Sequence, residues 1–114
     1  MKVLFHIDWD QEDRLLIALN DANSLWKEEF APEFAACFVA NGPAVNLFRK
    51  DRAVHYVSAV EELHMKGAQF MVCKNSLLNL GLTLEDLIKP CERVPSGIVE
   101  IIRLQQDGYA YVKP

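Results

Sequence analysis

Short runs that are apolar on both alternate sets of positions take turns along this chain with longer stretches in which apolar residues recur every three or four positions. Residues 2–8 place Val3, Leu4, Phe5 and Ile7 on both sets, the pattern of a strand covered on two faces. Residues 33–40, with Phe34, Ala35, Ala36, Cys37, Phe38 and Val39, and residues 68–73 read the same way, and briefer strands are predicted at 92–94 and 109–113. Between the first two, Leu15, Leu19, Ala22 and Trp26 are spaced for a helix running to about Glu29, with Asp10 as N-cap and Glu12 and Asp13 in its first turn. Pro43 suits the first position of a short helix to about Lys50. Val57, Val60 and Leu63 then mark a helix over 55–65, closed by Lys66-Gly67. A short helix over 75–80 stops at Gly81, and Thr83 with Asp86 forms a capping box for another that Pro90 ends. Ser96 caps a last helix, carrying Ile98, Ile101, Ile102 and Gln105, which Gly108 terminates.

Five strands separated by helices need crossover connections, hence parallel pairing and an α/β fold: a three-layer α/β/α sandwich on a five-stranded, mainly parallel sheet. At 114 residues the chain is one domain, spanning residues 1–114, large enough to bury a core without disulfides or a structural metal. Sheets of this kind bind ligands outside the carboxyl ends of their strands. The segments that converge there are Asp8-Trp9-Asp10, Asn41-Gly42-Pro43, Cys73-Lys74-Asn75-Ser76 and Pro95-Ser96-Gly97.

Composition narrows the function classes. A hydrophobic share of 51% with 25% charged residues is that of an ordinary globular protein. The net charge of −4, with Lys and Arg scattered among carboxylates, argues against nucleic acid and anionic membrane as partners. The first apolar run is too short, and too soon followed by acids, for a signal peptide or a membrane span, so a cytoplasmic location is expected. The three cysteines, Cys37, Cys73 and Cys91, are widely spaced, with no Cys-x-x-Cys and no metal-ligand pattern, and read as reduced thiols.

Of these thiols Cys73 is the candidate for chemistry. It ends a predicted strand just before helix-capping residues, where backbone N–H groups, the helix dipole and the adjacent Lys74 all favour a thiolate. The competing reading is a small buried hydrophobe. Cys37, inside an apolar run, and Cys91, beside Pro90, are read as structural. For His6, in a strand whose end faces the pocket, an acid–base role stands beside the favoured reading of a histidine packed between layers with nothing to fix its partner, and His55 and His64 are read as helix-surface residues too far apart to share a metal. Asn41-Gly42-Pro43 serves either an anion-binding turn or an ordinary strand-to-helix turn, and no nucleotide-binding glycine motif accompanies it. Trp9, between two aspartates, is expected to be partly exposed at the site, and Trp26 to be a packing anchor.

The order of strand, Asn41-Gly42, helix, Gly67, Val72-Cys73-x-x-Ser76-Leu77 and Gln105-Gln106-x-Gly108-Tyr109-x-Tyr111 resembles the DsrE/DsrF-like family over nearly the whole chain, and its shorter single-domain branch in particular. The resemblance implies the sandwich fold, assembly as a homotrimer or hexamer, and a sulfur-relay role in which Cys73 carries sulfur as a persulfide. On that reading Lys74 and the amides of Asn75 and Ser76 stabilise the anionic sulfur, while Asp8, Trp9, Asn41, Gly42 and Ser96 line the pocket. A sulfur donor or acceptor protein, or a small molecule, is the expected partner, and no metal or organic cofactor is implied. The alternative is a non-catalytic ligand-binding or assembly module with its pocket at the same edge. Some of Trp26, Phe30, Phe48, Tyr56, Tyr109 and Tyr111 are expected to lie in subunit interfaces.

Overall fold

A computed structural model describes residues 1–28 and 34–114. The strands are β1 (Lys2–Ile7), β2 (Ala35–Ala40), β3 (Gln69–Cys73), β4 (Cys91–Val94) and β5 (Ala110–Val112), and the α-helices are α1 (Glu12–Lys27), α2 (Val57–Met65), α3 (Lys74–Leu80) and α4 (Gly97–Gln106). All pairings are parallel, in the spatial order β4-β3-β2-β1-β5. The expected α/β architecture is thus present, with one sheet and helices on both faces.

Winding direction decides which helices cover which face. From β1 to β4 the chain steps one way along the sheet, and α1, α2 and α3 pack on one side through Leu15, Leu19, Val60, Leu63 and Leu77. Reaching β5 on the far side of β1 requires stepping back, and a right-handed crossover in that direction lands on the other face. There α4 places Ile101 and Leu104 against Leu4, Cys37, Val39 and Met71. The larger core holds a ladder of rings on neighbouring strands: Phe5 stacks on Phe38 at 4.9 Å, and Phe38 on Phe70 at 4.5 Å. These three residues are also backbone partners in the sheet register.

Several local expectations change in the folded chain. Asp10 does not cap α1; Gln11 holds the cap position, and Asp10 instead pairs with Arg52 at 2.8 Å. The segment after Pro43 is a 3₁₀ helix, Gly42–Phe48, not an α-helix. The capping box at Thr83 forms, its N–H donating to Asp86 Oδ2 at 2.8 Å, but the turn ends after Asp86, well before Pro90. The cause is tertiary: the Lys50 N–H donates to the Asp86 carbonyl and the Ile88 N–H to the Phe48 carbonyl, both at 2.9 Å, drawing residues 87–88 out into extended backbone. His55 precedes α2 rather than lying on it, and bonds Glu12 across the α1 terminus at 2.7 Å. On α4 the buried stripe is Gly97, Glu100, Ile101 and Leu104, so Ile98, Ile102 and Gln105 face outward. The buried Glu100 is held by Arg103 at 2.7 Å, which lets a carboxylate sit where the helical spacing favours an apolar residue. Phe48 and Tyr56 lie in the core, and the Tyr56 hydroxyl donates to the Leu47 carbonyl. The expectations placed on Glu29, Phe30 and Glu33 fall outside the described residues.

The central position of Phe38 gives a stability prediction. Phe38→Ala removes the middle ring of the ladder and leaves a cavity between Phe5 and Phe70, and it should cost about 3–5 kcal/mol in denaturant unfolding. A change below about 1 kcal/mol would show that the ladder does not hold the sheet.

Candidate functional site

Three loops meet at the carboxyl edge because the strands bring them level. Ala40 is the register partner of Val72, so Asn41, one residue on, lies beside Cys73, which is itself paired with Val94. Gly97, the first residue of α4, closes over both. A Cβ there would stand 3.0 Å from Asn41 Cβ, 3.2 Å from Cys73 Cβ and 3.7 Å from Cys73 Sγ, so only hydrogen fits without displacement. Ser96 caps the helix, its Oγ accepting the Val99 N–H at 3.5 Å. Across the site the Gly42 N–H donates to Ser76 Oγ at 2.7 Å. Gly42 has φ +59°, a left-handed turn that glycine reaches at little cost.

Cys73 is the last residue of β3 and the cap residue of α3, and it is 6% exposed. Burial by itself pushes its thiol up. Set against that, the Gly97 N–H, the Ser76 hydroxyl and the N–H groups of Ser76 and Asn75 are donors that favour the thiolate, and together they hold the thiol below its ordinary value. Ser76 is buried as well: its oxygen accepts from Gly42, which leaves its O–H free to favour the thiolate. The other thiols have no such set of donors. Burial is the main influence on Cys37, raising it despite a bond from Tyr109, and its thiol donates to Gln69 Oε1 at 3.2 Å. Cys91 is pushed up to about 12 by burial alone.

The remaining candidates are distributed around this centre. Asn41, Gly42, Asn75, Ser76 and Ser96 belong to the three converging loops, Asn75 contributing through its backbone. Lys74 lines a surface cleft with Leu77, Leu82, Thr83 and Arg93, and the groups that lower the Cys73 thiol are amides and a hydroxyl. Asp8 stands on the β1 side, where its carboxylate accepts from Lys113 Nζ at 2.8 Å and its carbonyl oxygen is the nearest atom to the Gly42 Cβ position, at 3.6 Å. Trp9 is 54% exposed at the same edge. Among the described residues no cluster of His, Cys, Asp or Glu could hold a metal ion, and no helix is long and apolar enough to cross a membrane.

Tyr111 completes the edge with His6 and carries no signal in the sequence as a site residue. His6 is not a partnerless core histidine: its Nδ1 lies 2.6 Å from the Tyr111 hydroxyl and its Nε2 2.8 Å from Asn41 Oδ1. Parity along β1 puts His6 on the face of Leu4, but the pairing of β1 with β5, more than a hundred residues apart, leaves no trace in local sequence.

Comparison with known proteins agrees with this architecture. The sequence model of the DsrE/DsrF-like family matches residues 1–114. Among solved structures, the chain is similar to MTH1491, a protein of unknown function from Methanobacterium thermoautotrophicum, at 34% identity and a TM-score of 0.87, over 99% of this chain and 98% of that one. No curated protein matches it significantly.

The donor set predicts an order of thiol reactivity. In the native protein Cys73 should alkylate faster than Cys37 or Cys91, with a rate-versus-pH midpoint below the roughly 8.5 of a free thiol. Ser76→Ala removes one donor from sulfur and leaves the Gly42 N–H unpaired, and should raise that midpoint by about half to one pH unit. Equal, slow alkylation of all three thiols would contradict this.

Proposed function

The chain belongs to the DsrE/DsrF-like family, and from that premise we propose that it is a sulfur carrier in which Cys73 accepts and passes on a sulfane sulfur. The observation that carries this reading is the place of Cys73 at the junction of β3 and α3, with Gly97 packed against its sulfur and its thiol held below the ordinary value despite burial. The Cys73 thiolate attacks the outer sulfur of a donor persulfide, R–S–SH. A sulfur–sulfur bond forms at Cys73, the donor's own sulfur–sulfur bond breaks, and the donor leaves as the thiolate R–S⁻ while the proton stays on the transferred sulfur. No net oxidation occurs. In the return step an acceptor thiolate attacks that outer sulfur and Cys73 departs as a thiolate. A lowered thiol pKa makes Cys73 the better leaving group, so the same donors that prepare it for loading also favour release.

Limited exposure of Cys73 favours one other reading, a non-catalytic module that binds a small ligand or a partner segment at this edge. The two readings separate by mass analysis. After incubation with a small persulfide donor, a single sulfur should appear on the Cys73 peptide, and Cys73→Ser should abolish it with the fold intact. Sulfur on Cys37 or Cys91, or none at all, would remove the carrier reading and leave the module.

Self-association is part of the proposal. The outer side of α4 exposes Ile98 at 57%, Val99 at 48% and Ile102 at 50%, an apolar strip suited to burial between copies. Light scattering should therefore give three times the 13.0 kDa chain mass, or six times for a hexamer. Ile102→Glu should shift the particle toward monomer, and a wild-type mass of one chain at every concentration would refute the assembly.

A further inference from the structure

Tyr111, His6, Asn41 and Cys73 form a diagonal row across β5, β1, β2 and β3. Tyr111 pairs with Leu4, two residues before His6; His6 pairs with Val39, two residues before Asn41; and Asn41 follows the partner of Val72, which puts it next to Cys73. Steps of two keep side chains on one face, here the face that α4 covers and that Gly97 approaches. The first three members are joined by the 2.6 Å and 2.8 Å contacts of the His6 ring.

Hydrogen-bond logic orients the row. A neutral imidazole carries one N–H: with Asn41 Oδ1 turned toward Nε2, that proton belongs on Nε2 and Nδ1 accepts the Tyr111 O–H. Asn41 thereby commits its Oδ1 to His6, while its Nδ2 has no hydrogen-bond partner among the described residues and is not sealed from solvent. A histidinium would donate from both nitrogens and leave Asn41 the same way up. Only the Nδ1–H tautomer would turn the carboxamide round and point an oxygen lone pair, in place of two donors, away from β1.

We infer that Tyr111 and His6 are positioning residues, holding the Asn41 carboxamide with its Nδ2 donors free on the Cys73 side, where they serve an anionic sulfur at the end of β3. The inference rests on the reading of Cys73 as the working sulfur. It assigns His6 no proton transfer; its work is to fix which end of an amide meets the site.

The test is a double-mutant cycle on the full chain, read as the pH midpoint of Cys73 alkylation by iodoacetamide, together with ¹⁵N spectra of histidine-labelled protein. Asn41→Leu should raise the midpoint by about one pH unit through loss of a donor to the thiolate. His6→Leu, though it bears no atom bonded to sulfur, should raise it in the same direction. His6→Gln, whose amide N–H can stand in for Nε2–H, should restore it. In the Asn41→Leu background His6→Leu should add nothing, because its effect runs through Asn41. The spectra of the unmutated protein should show His6 as the Nε2–H tautomer at alkaline pH, a result that needs no variant to fold. Additive shifts, an unmoved midpoint in Asn41→Leu, or a neutral Nδ1–H tautomer would each overturn the inference. Sulfur loading, measured separately, keeps the two ideas apart: loading without coupling removes the positioning row alone, and coupling without loading removes the carrier reading alone.

Discussion

The register of the parallel sheet is the constraint on which everything else depends. Phe5, Phe38 and Phe70 are backbone partners, and their rings form one stack on the α1 and α2 side. Side chains alternate with a period of two, so locking these three onto one face places His6, Asn41 and Cys73 on the other. A slip of one residue in any of the three strands would send its ring to the wrong layer and break the site row in the same movement. Core packing and site geometry are therefore set by one interaction read from opposite sides of the sheet.

That placement explains why three buried cysteines in one small domain differ in character. Cys37, Cys73 and Cys91 are each nearly inaccessible, and burial raises all three thiols. Only Cys73 lies where a strand has ended and the next backbone N–H groups have no ladder to join. Those amides, with Ser76 and Gly97, outweigh desolvation. The consequence extends to stability. A thiol whose folded pKa is lowered adds stability above the unfolded pKa and loses it as pH falls through the folded value, whereas Cys37 and Cys91, raised by folding, stabilise below the unfolded pKa and lose that contribution as pH rises through their folded values. Alkaline conditions thus set the site against the core.

Close approach is the other half of the design. Gly97 lets α4 begin almost on top of Asn41 and Cys73, and Ser76 bridges the Gly42 turn to the sulfur. Lys74, the nearest charge in sequence, lines the neighbouring cleft together with Arg93. The groups that favour the thiolate are neutral, backbone amides and the buried Ser76 hydroxyl.

Much of this molecule was legible in one dimension, because periodicity is a local property. Apolar runs on both parities marked β1, β2 and β3; the glycines at 67, 81 and 108 marked helix ends; and Cys73 before Asn75 and Ser76 marked a strand-to-helix junction at the ligand edge. On α4 the same method faltered, since apolar residues at 98, 99, 101, 102 and 104 surround the helix and only the sheet beneath it selects 101 and 104. Tertiary structure alone decided that His6 meets both Tyr111 and Asn41 and that Gly97 must be bare where it packs on Cys73. The reason is physical: a helix or strand is specified by neighbours within a few residues, while a hydrogen bond between residues 6 and 111 exists only after two strand ends have been brought into one register.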